Sequence, residues 1–307
     1  MDSKQTTNHL LMVRPAHFAF NEETAGSNAF QQRSSLDATN NLQRQALEEF
    51  DTYVGLLRKN GVEVTVVQDT ATPFTPDSIF PNNCFSTHHE TSERLLVIYP
   101  MHAPNRRKER EKLLQTLRLM AFDKVVDLTH WEAEGRFLEG TGSLILDRDH
   151  RLAYACRSPR THETVIREWA KATGYDYFLF DSEDDNGTAV YHTNVMMHVG
   201  TKIAIVCMDS IRNDGQRNQL LSLLEANGKE VVEITMAQMR LFAGNMLEVR
   251  NNQGEQLLVM SNTARLSLTE QQTSILTRHT RIVAPDIHTI ESVGGGSARC
   301  MIAELFL

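Results

Sequence analysis

Apolar positions recur with a helical period in Leu42, Ala46, Leu47, Phe50, Val54 and Leu57, and the pattern stops at Gly61, a helix C-cap signal. A run of strand formers, Val62 to Val67, follows at once. The same helix-into-strand order is predicted four more times. Helices over about 106–122, 161–173, 214–227 and 268–279 lead into strands over 124–128, 175–180, 230–234 and 281–284. The five exits lie about 50 to 63 residues apart, a period that marks a repeat architecture.

Each exit is followed by a pair of short apolar strands. Residues 82–87 with 95–99, 137–146 with 152–156, 190–199 with 202–207, and 246–250 with 256–260 supply four pairs. The fifth unit has only 298–306, and the strand His9 to Arg14 at the other end of the chain is the partner that would close a ring and remove its open edges. The expected fold class is therefore α/β: five pseudo-symmetric ββαβ modules about a central axis, forming one domain over 1–307 with a disordered tail at 1–8. Two stacked α/β domains are the alternative, and five matched units argue against it.

A hydrophobic fraction of 41% is ample for a core. The net charge of −8 gives no electrostatic footprint for nucleic acid or an anionic membrane, so neither is expected as a partner. The one basic run, Arg106 to Lys112, alternates with acids and reads as a solvated helix face. No apolar run has the length of a signal segment or membrane span, and a cytoplasmic location is expected. The four cysteines, at 84, 156, 207 and 300, lack metal-site spacing; they should be reduced, so one that matters acts as a thiolate.

Pseudo-symmetry predicts that the residues opening the strand after each exit point toward the axis. They are Asn82 and Asn83, Glu139, His192 with Asn194, Asn245, and Cys300. Amide, carboxylate, imidazole and thiol are costly to bury unless paired or used, and together they are the inventory of a thiol-dependent active site. Cys300 is the expected nucleophile, His192 the proton carrier, and Glu139 the carboxylate that holds the nitrogens of the reacting group. Gly294 to Gly296 would bring the backbone close to a substrate. Cys84, Cys156 and Cys207 fall within apolar strand patterns and read as packing residues, and His88-His89 lacks a third ligand at metal spacing. Gly140-Thr141-Gly142 is not followed by the residues of a phosphate loop.

With these residues in place, the chain resembles the guanidino-group-modifying enzymes of the pentein fold: arginine deiminases, dimethylarginine hydrolases and amidinotransferases. The resemblance runs over nearly the whole chain and rests on Phe80-Pro81-Asn82-Asn83, Leu138-Glu139-Gly140, Ser158-Pro159-Arg160-Thr161, His192-Thr193-Asn194 and the glycine run leading to Cys300. It implies a five-bladed α/β propeller and the same three catalytic residues. It also implies that Arg160 grips a substrate α-carboxylate and that Asp77 helps hold the amine end.

Deiminases carry acids where this chain has Asn83 and Asn194. An amide offers a donor and an acceptor without net charge, which suits a neutral ureido group. Phe18-Ala19-Phe20-Asn21, Asn28-Ala29-Phe30-Gln31 and Tyr191 to Met197 resemble a bacterial citrulline-utilisation hydrolase branch. The expected reaction is thus citrulline to ornithine, carbon dioxide and ammonia through a Cys300 intermediate, with Asn82, Asn83, Asn194 and Asn28 among the substrate-binding residues. The thiolate, imidazole and amides supply the chemistry, so no metal or organic cofactor is expected. The alternatives are an arginine deiminase or dihydrolase, a dimethylarginine hydrolase, an amidinotransferase, and a non-catalytic pentein binding module. The expected partner is a small-molecule amino acid; association into a homo-oligomer stays open.

Overall fold

The computed structural model describes residues 5–33, 41–90 and 93–307. Its strands are β1 (His9–Arg14), β2 (Glu63–Gln68), β3 (Phe85–Glu90), β4 (Glu93–Ile98), β5 (Lys124–Asp127), β6 (Ile145–Asp147), β7 (Leu152–Cys156) and β8 (Asp176–Phe180). They continue as β9 (Met197–Val199), β10 (Ile203–Val206), β11 (Glu230–Glu233), β12 (Leu247–Arg250), β13 (Gln256–Val259), β14 (Arg281–Val283) and β15 (Ala303–Glu304).

These strands make five three-stranded sheets of one design. In β3-β4-β5, β6-β7-β8, β9-β10-β11 and β12-β13-β14 the first pair is antiparallel and the second parallel. The fifth sheet, β15-β1-β2, repeats the pattern by joining the two ends of the chain: β15 runs antiparallel to β1, and β1 parallel to β2. The first strands face one another across sheets, β6 against β9, β9 against β12 and β15 against β3. This is the α/β pentein architecture.

A parallel crossover needs a helix, and the sequence supplies one in each unit. Asn41–Lys59 buries Leu42, Ala46, Phe50, Tyr53, Val54 and Leu57 along one stripe, and the chain turns at Gly61 with φ of 81° before β2. Glu163–Thr173 ends on Gly174 at φ 70°; Asp214–Ala226 is capped by Asn213, and Glu270–Thr277 by a capping box of Thr269 and Gln272. The middle strands β4, β7, β10 and β13 each carry a buried apolar run, Leu95 to Ile98, Ala153 to Cys156, Ile203 to Val206 and Leu257 to Val259.

Several expectations change. The helix expected over 106–122 is broken into Pro104–Arg107, Glu109–Leu117 and a last tight turn, Arg118–Met120. The break turns Arg106 and Glu109 inward, each 2% exposed, so this run is not a solvated face. The helix expected over 268–279 is present as Glu270–Thr277, and a separate helix that the pattern did not predict, Asn262–Ser267, precedes it; each has its own hydroxyl N-cap. The tail expected over 1–8 is packed from residue 5 onward. Gln5, Thr6 and Thr7 are buried, and Gln5 donates to the carbonyls of Leu146 and Val199; residues 1–4 lie outside the described ones. Among the described residues no helix is long and apolar enough to cross a membrane.

Candidate active site

The polar residues expected at the axis do not open strands; they sit on tight turns just before them. Asn82 and Asn83 lie in the single turn Pro81–Asn83, Glu139 directly precedes the turn Gly140–Ser143, and His192 directly precedes Thr193–Met196, which contains Asn194. Cys300 lies in the turn before β15. Glycine lets these turns meet. Gly140 holds φ of 47°, and a Cβ there would fall 2.3 Å from the Asn82 carbonyl oxygen; one on Gly142 would fall 2.3 Å from Asn83 Nδ2 and 2.9 Å from the His192 ring. At the other side of the site Gly294 and Gly296 lie against the Phe80 ring, where a Cβ would come within 2.7 and 2.8 Å.

Glu139 is fully buried and is the hub of the charges. Its Oε2 accepts from His192 Nε2 at 2.7 Å and Arg160 Nη1 at 3.4 Å, and its Oε1 accepts the His102 amide at 2.9 Å. Burial alone would raise its pKa, but the Arg160 guanidinium and the His192 bond outweigh it and hold the carboxyl well below the usual range. An ionised carboxylate only accepts, so Nε2 of His192 carries the proton. Burial pulls His192 down to about 4 against the opposing pull of Glu139, which leaves the ring neutral at pH 7.

The Cys300 sulfur receives two amide donors, Asn245 Nδ2 at 3.2 Å and Asn194 Nδ2 at 3.5 Å. Asn245 is locked in that orientation because its Oδ1 accepts the Arg299 backbone N–H at 3.1 Å. The other thiols are built differently. Cys84 donates to Glu109 at 3.4 Å, and burial pushes Cys156 up to about 12 and Cys207 up to about 11.

Around the hub lie buried polar atoms without a hydrogen-bond partner: Asp77 Oδ1, both side-chain atoms of Asn82, Asn83 Nδ2, Asn194 Oδ1 and Arg160 Nε. Such atoms are rare in a folded chain and concentrate where a ligand completes them. Asp77 Oδ2 accepts from Asn21 Nδ2 at 2.7 Å, and burial raises its pKa against the pull of Arg106 and that bond.

The segment before residue 34 covers this cluster. Asn21 caps the short helix Glu22–Ala25 and reaches Asp77, while Ser27 Oγ and the Thr24 carbonyl accept from Arg160 Nη2 at 2.6 and 3.4 Å. Asn28, expected to bind substrate, pins the segment to the glycine run, donating to the Gly294 and Gly295 carbonyls at 3.4 and 3.3 Å while its Oδ1 caps Phe30 N–H. Its amide is committed to the backbone. Phe30 packs against Tyr191 and Phe242, which line a neighbouring cavity of about 350 Å³. That cavity does not include Cys300.

The turns thus bring together Cys300, His192, Glu139, Arg160, Asp77, Asn82, Asn83 and Asn194. The sequence makes the axial position of Asn245 legible but not its bond to the thiol, and it reads Arg106 as part of a solvated face. Arg106 Nη1 donates to Asn83 Oδ1 at 2.7 Å, and its Nε lies 3.0 Å from Glu109 and 3.8 Å from Asp77. A signal for it was Pro104, a residue of first helical turns, which places Arg106 in a separate short helix. Among the described residues no group of three or more histidine, cysteine or acidic side chains is placed to hold a metal ion.

The family model described as N,N dimethylarginine dimethylhydrolase, eukaryotic, matches residues 14–307. No curated protein matches the chain. Among solved structures, the product-bound N-terminal domain of ArgZ, an arginine dihydrolase from the ornithine-ammonia cycle in cyanobacteria, superposes with a TM-score of 0.76 at 16% identity, covering 97% of each chain. A complex of an AgrE mutant with L-arginine gives 0.76 at 16%, covering 97% of this chain and 40% of that one. A dimethylarginine dimethylaminohydrolase variant carrying an S-methyl-L-thiocitrulline adduct gives 0.67 at 17%, covering 98% and 100%.

Proposed function

Since the chain belongs to the dimethylarginine dimethylhydrolase family of the pentein guanidino-group-modifying enzymes, and is thus a hydrolase of that kind, we propose that its substrate is a ureido amino acid, citrulline, cleaved to ornithine, carbon dioxide and ammonia. The observation that carries this reading is the pair of unsatisfied amide atoms beside the thiol and imidazole: the donor Asn83 Nδ2 and the acceptor Asn194 Oδ1. A ureido carbonyl needs the first and its NH₂ the second, with no charge to compensate. A guanidinium buried there would find one carboxylate, Glu139, bonded to His192, and amides at Asn83 and Asn194 in place of further acids.

In this reading Asp77 Oδ1 takes the α-ammonium and Arg160 turns from Glu139 to grip the α-carboxylate, which completes both unpartnered atoms. The Cys300 thiol gives its proton to neutral His192 and its sulfur attacks the ureido carbon, with the Asn245 and Asn194 amides holding the sulfur in place. His192 returns the proton to the departing nitrogen. Water, deprotonated by His192, then cleaves the S-linked carbonyl and frees the thiol; the carbamate so formed breaks down to carbon dioxide and ammonia. Glu139 keeps the imidazole in the Nε2–H tautomer and stabilises its charged form.

An arginine dihydrolase is the second reading, supported by the ionised Glu139, which could also face a guanidinium; such an enzyme would form citrulline on the way. Amino-acid chromatography with ammonia release, run on citrulline, arginine, agmatine and methylated arginines, decides between them. Citrulline consumed to equimolar ornithine and ammonia is the expected result. A Cys300→Ser protein with full turnover would refute the thiol mechanism.

A further inference from the structure

The cavity beside the active site has an unmet bond of its own. Its volume of about 350 Å³ lies within the range of small-molecule pockets, roughly 300–1,000 Å³. Phe30, Tyr191, Met239 and Phe242 give it an apolar wall, with the Phe30 and Phe242 rings 5.2 Å apart. Glu291, on the helix His288–Gly294, also lines it and is 2% exposed. Its Oε1 accepts the Ser297 hydroxyl at 2.5 Å, while its Oε2 has no hydrogen-bond partner. Burial raises the carboxyl's pKa; the hydroxyls of Ser261 and Thr263 lie close enough to oppose this, but neither bonds Oε2. Asp184, Asp185 and His288 are further lining residues, and the one guanidinium there, Arg240, is ion-paired with Asp185. Three carboxylates against one committed guanidinium suit a cation and repel an anion.

We propose that this cavity is a second binding site, for an organic ammonium ion with an apolar body and no carboxylate, and that its occupant holds the covering segment on the active site. The ammonium would complete Glu291 Oε2, and the body would lie on the aromatic wall. An amino acid is disfavoured, because its carboxylate would face the acids with no free guanidinium to receive it. The wall belongs partly to the covering segment. Phe30 and Ser27 line the cavity, Ser27 Oγ accepts from Arg160 of the active site, and Gln32 N–H donates to the Ser292 carbonyl of the Glu291 helix at 2.7 Å. The cavity is therefore complete only with that segment in place, and a ligand that fills it favours that placement. None of this depends on which head group Cys300 attacks.

The test is calorimetric titration of the full chain with phenethylamine, phenethyl alcohol and phenylalanine, in wild type, Glu291→Gln and Ala189→Trp. Glutamine keeps an acceptor for Ser297 and removes the charge. Ala189 is an exposed lining residue, so tryptophan there fills the cavity from outside and supplies the readout should the glutamine variant fail to fold. Phenethylamine should bind wild type saturably at about millimolar concentration or below. The alcohol lacks the charge and phenylalanine adds a carboxylate, so both should bind at least about tenfold more weakly, and each variant should weaken the amine by a similar factor. An alcohol that binds as well as the amine, or no saturable binding of the amine, overturns the site. So does an amine affinity unchanged in folded Glu291→Gln, or in Ala189→Trp should it alone fold. Saturating amine should also slow iodoacetamide alkylation of Cys300 severalfold in wild type and not in the variants. Binding with an unchanged alkylation rate overturns the hold on the covering segment.

Discussion

Gly142→Ala adds one methyl group at the meeting point of three turns, and its effect can be worked from distances. The new Cβ would lie 2.3 Å from Asn83 Nδ2 and 2.9 Å from His192 Nδ1 and Cε1, against ordinary contacts beginning at 3.4 Å. Relieving it moves the Asn83 amide by about 1 Å and the imidazole by about half that, and a misplacement of this size at a reacting centre costs about 10²-fold. The backbone does not object, since Gly142 is not among the glycines at positive φ and sits in a helical turn, where alanine gains about 1 kcal/mol. Overpacking costs about 1–3 kcal/mol, so the protein should stay folded within about 2 kcal/mol of wild type.

The assay is kcat and KM for citrulline beside a urea unfolding curve, with iodoacetamide alkylation of Cys300 as a control that the thiol remains accessible. The expected outcome is a fall of about 10²-fold in kcat/KM in a folded protein. Gly140→Ala is the contrast. Its φ of 47° strains any side chain, and the atom its Cβ meets at 2.3 Å is the backbone oxygen of Asn82, so it should lose stability first, by about 1–3 kcal/mol. Gly142→Ala with kcat/KM within threefold of wild type would refute the placement of Asn83 and His192 around the reacting group.

Asn83→Asp with Asn194→Asp should shift the kcat/KM ratio from citrulline toward arginine by about tenfold or more, because two carboxylates then face the group; equal losses on both substrates would count against the role of the amides. Burial pulls His192 to about 4 and His198 to about 3, so between about pH 6.5 and 4 the unfolded chain binds protons that the folded one does not. Stability should therefore fall on acidification through that window, by at most about 1.4 kcal/mol per pH unit for each ring; urea midpoints that hold steady from pH 7 to 4.5 would contradict neutral burial. Gly295→Ala, at φ 64° with a Cβ 2.6 Å from Gln31 and 2.7 Å from Asn28, should loosen the covering segment and raise KM severalfold more than it lowers kcat, as steady-state kinetics would show.

The repeat was legible because its signals come from burial. The inner strands must be apolar whatever the function, and β1 runs from His9 to Arg14 as the pattern predicts, paired with the last strand. The turns that form the candidate site were not legible as turns. A buried turn such as Gly140–Ser143 is flanked by Leu138, Leu144 and Leu146, and so reads as a continuous strand until the glycine conformations are known. Arg106 was misread for a related reason. Arg106 and Glu109 make an ion pair three residues apart, the same spacing a solvated helix face uses, and spacing carries no information on depth. Gln5 is polar because it caps the strand-end carbonyls of Leu146 and Val199, and a polar residue near a chain end reads by composition as tail.

Burial of charge by itself does not mark the active site, because the far ends of the same strands bury as many charges. There Lys229 pairs with Asp147 at 3.2 Å, Arg299 with Glu304 at 3.0 Å, Glu248 accepts from Thr201, and Gln5 accepts from the Arg148 amide at 2.7 Å. Two atoms in this group, Arg148 Nη2 and His198 Nε2, lack a partner. At the near ends Asp77, Asn82, Asn83, Arg160 and Asn194 all leave atoms unpartnered; Asn194 reaches the Cys300 sulfur, Asn82 and Asn83 meet the glycines of the turn after Glu139, and Arg160 bonds Glu139 itself. A buried polar group that finds its partner within the chain supports the fold, and one that does not costs stability until something else supplies the bond. Among the described residues the chain bears most of that cost at the near end, beside the Cys300 thiol held by two amide donors, and in the reading proposed above a ureido amino acid has the complementary atoms to remove it.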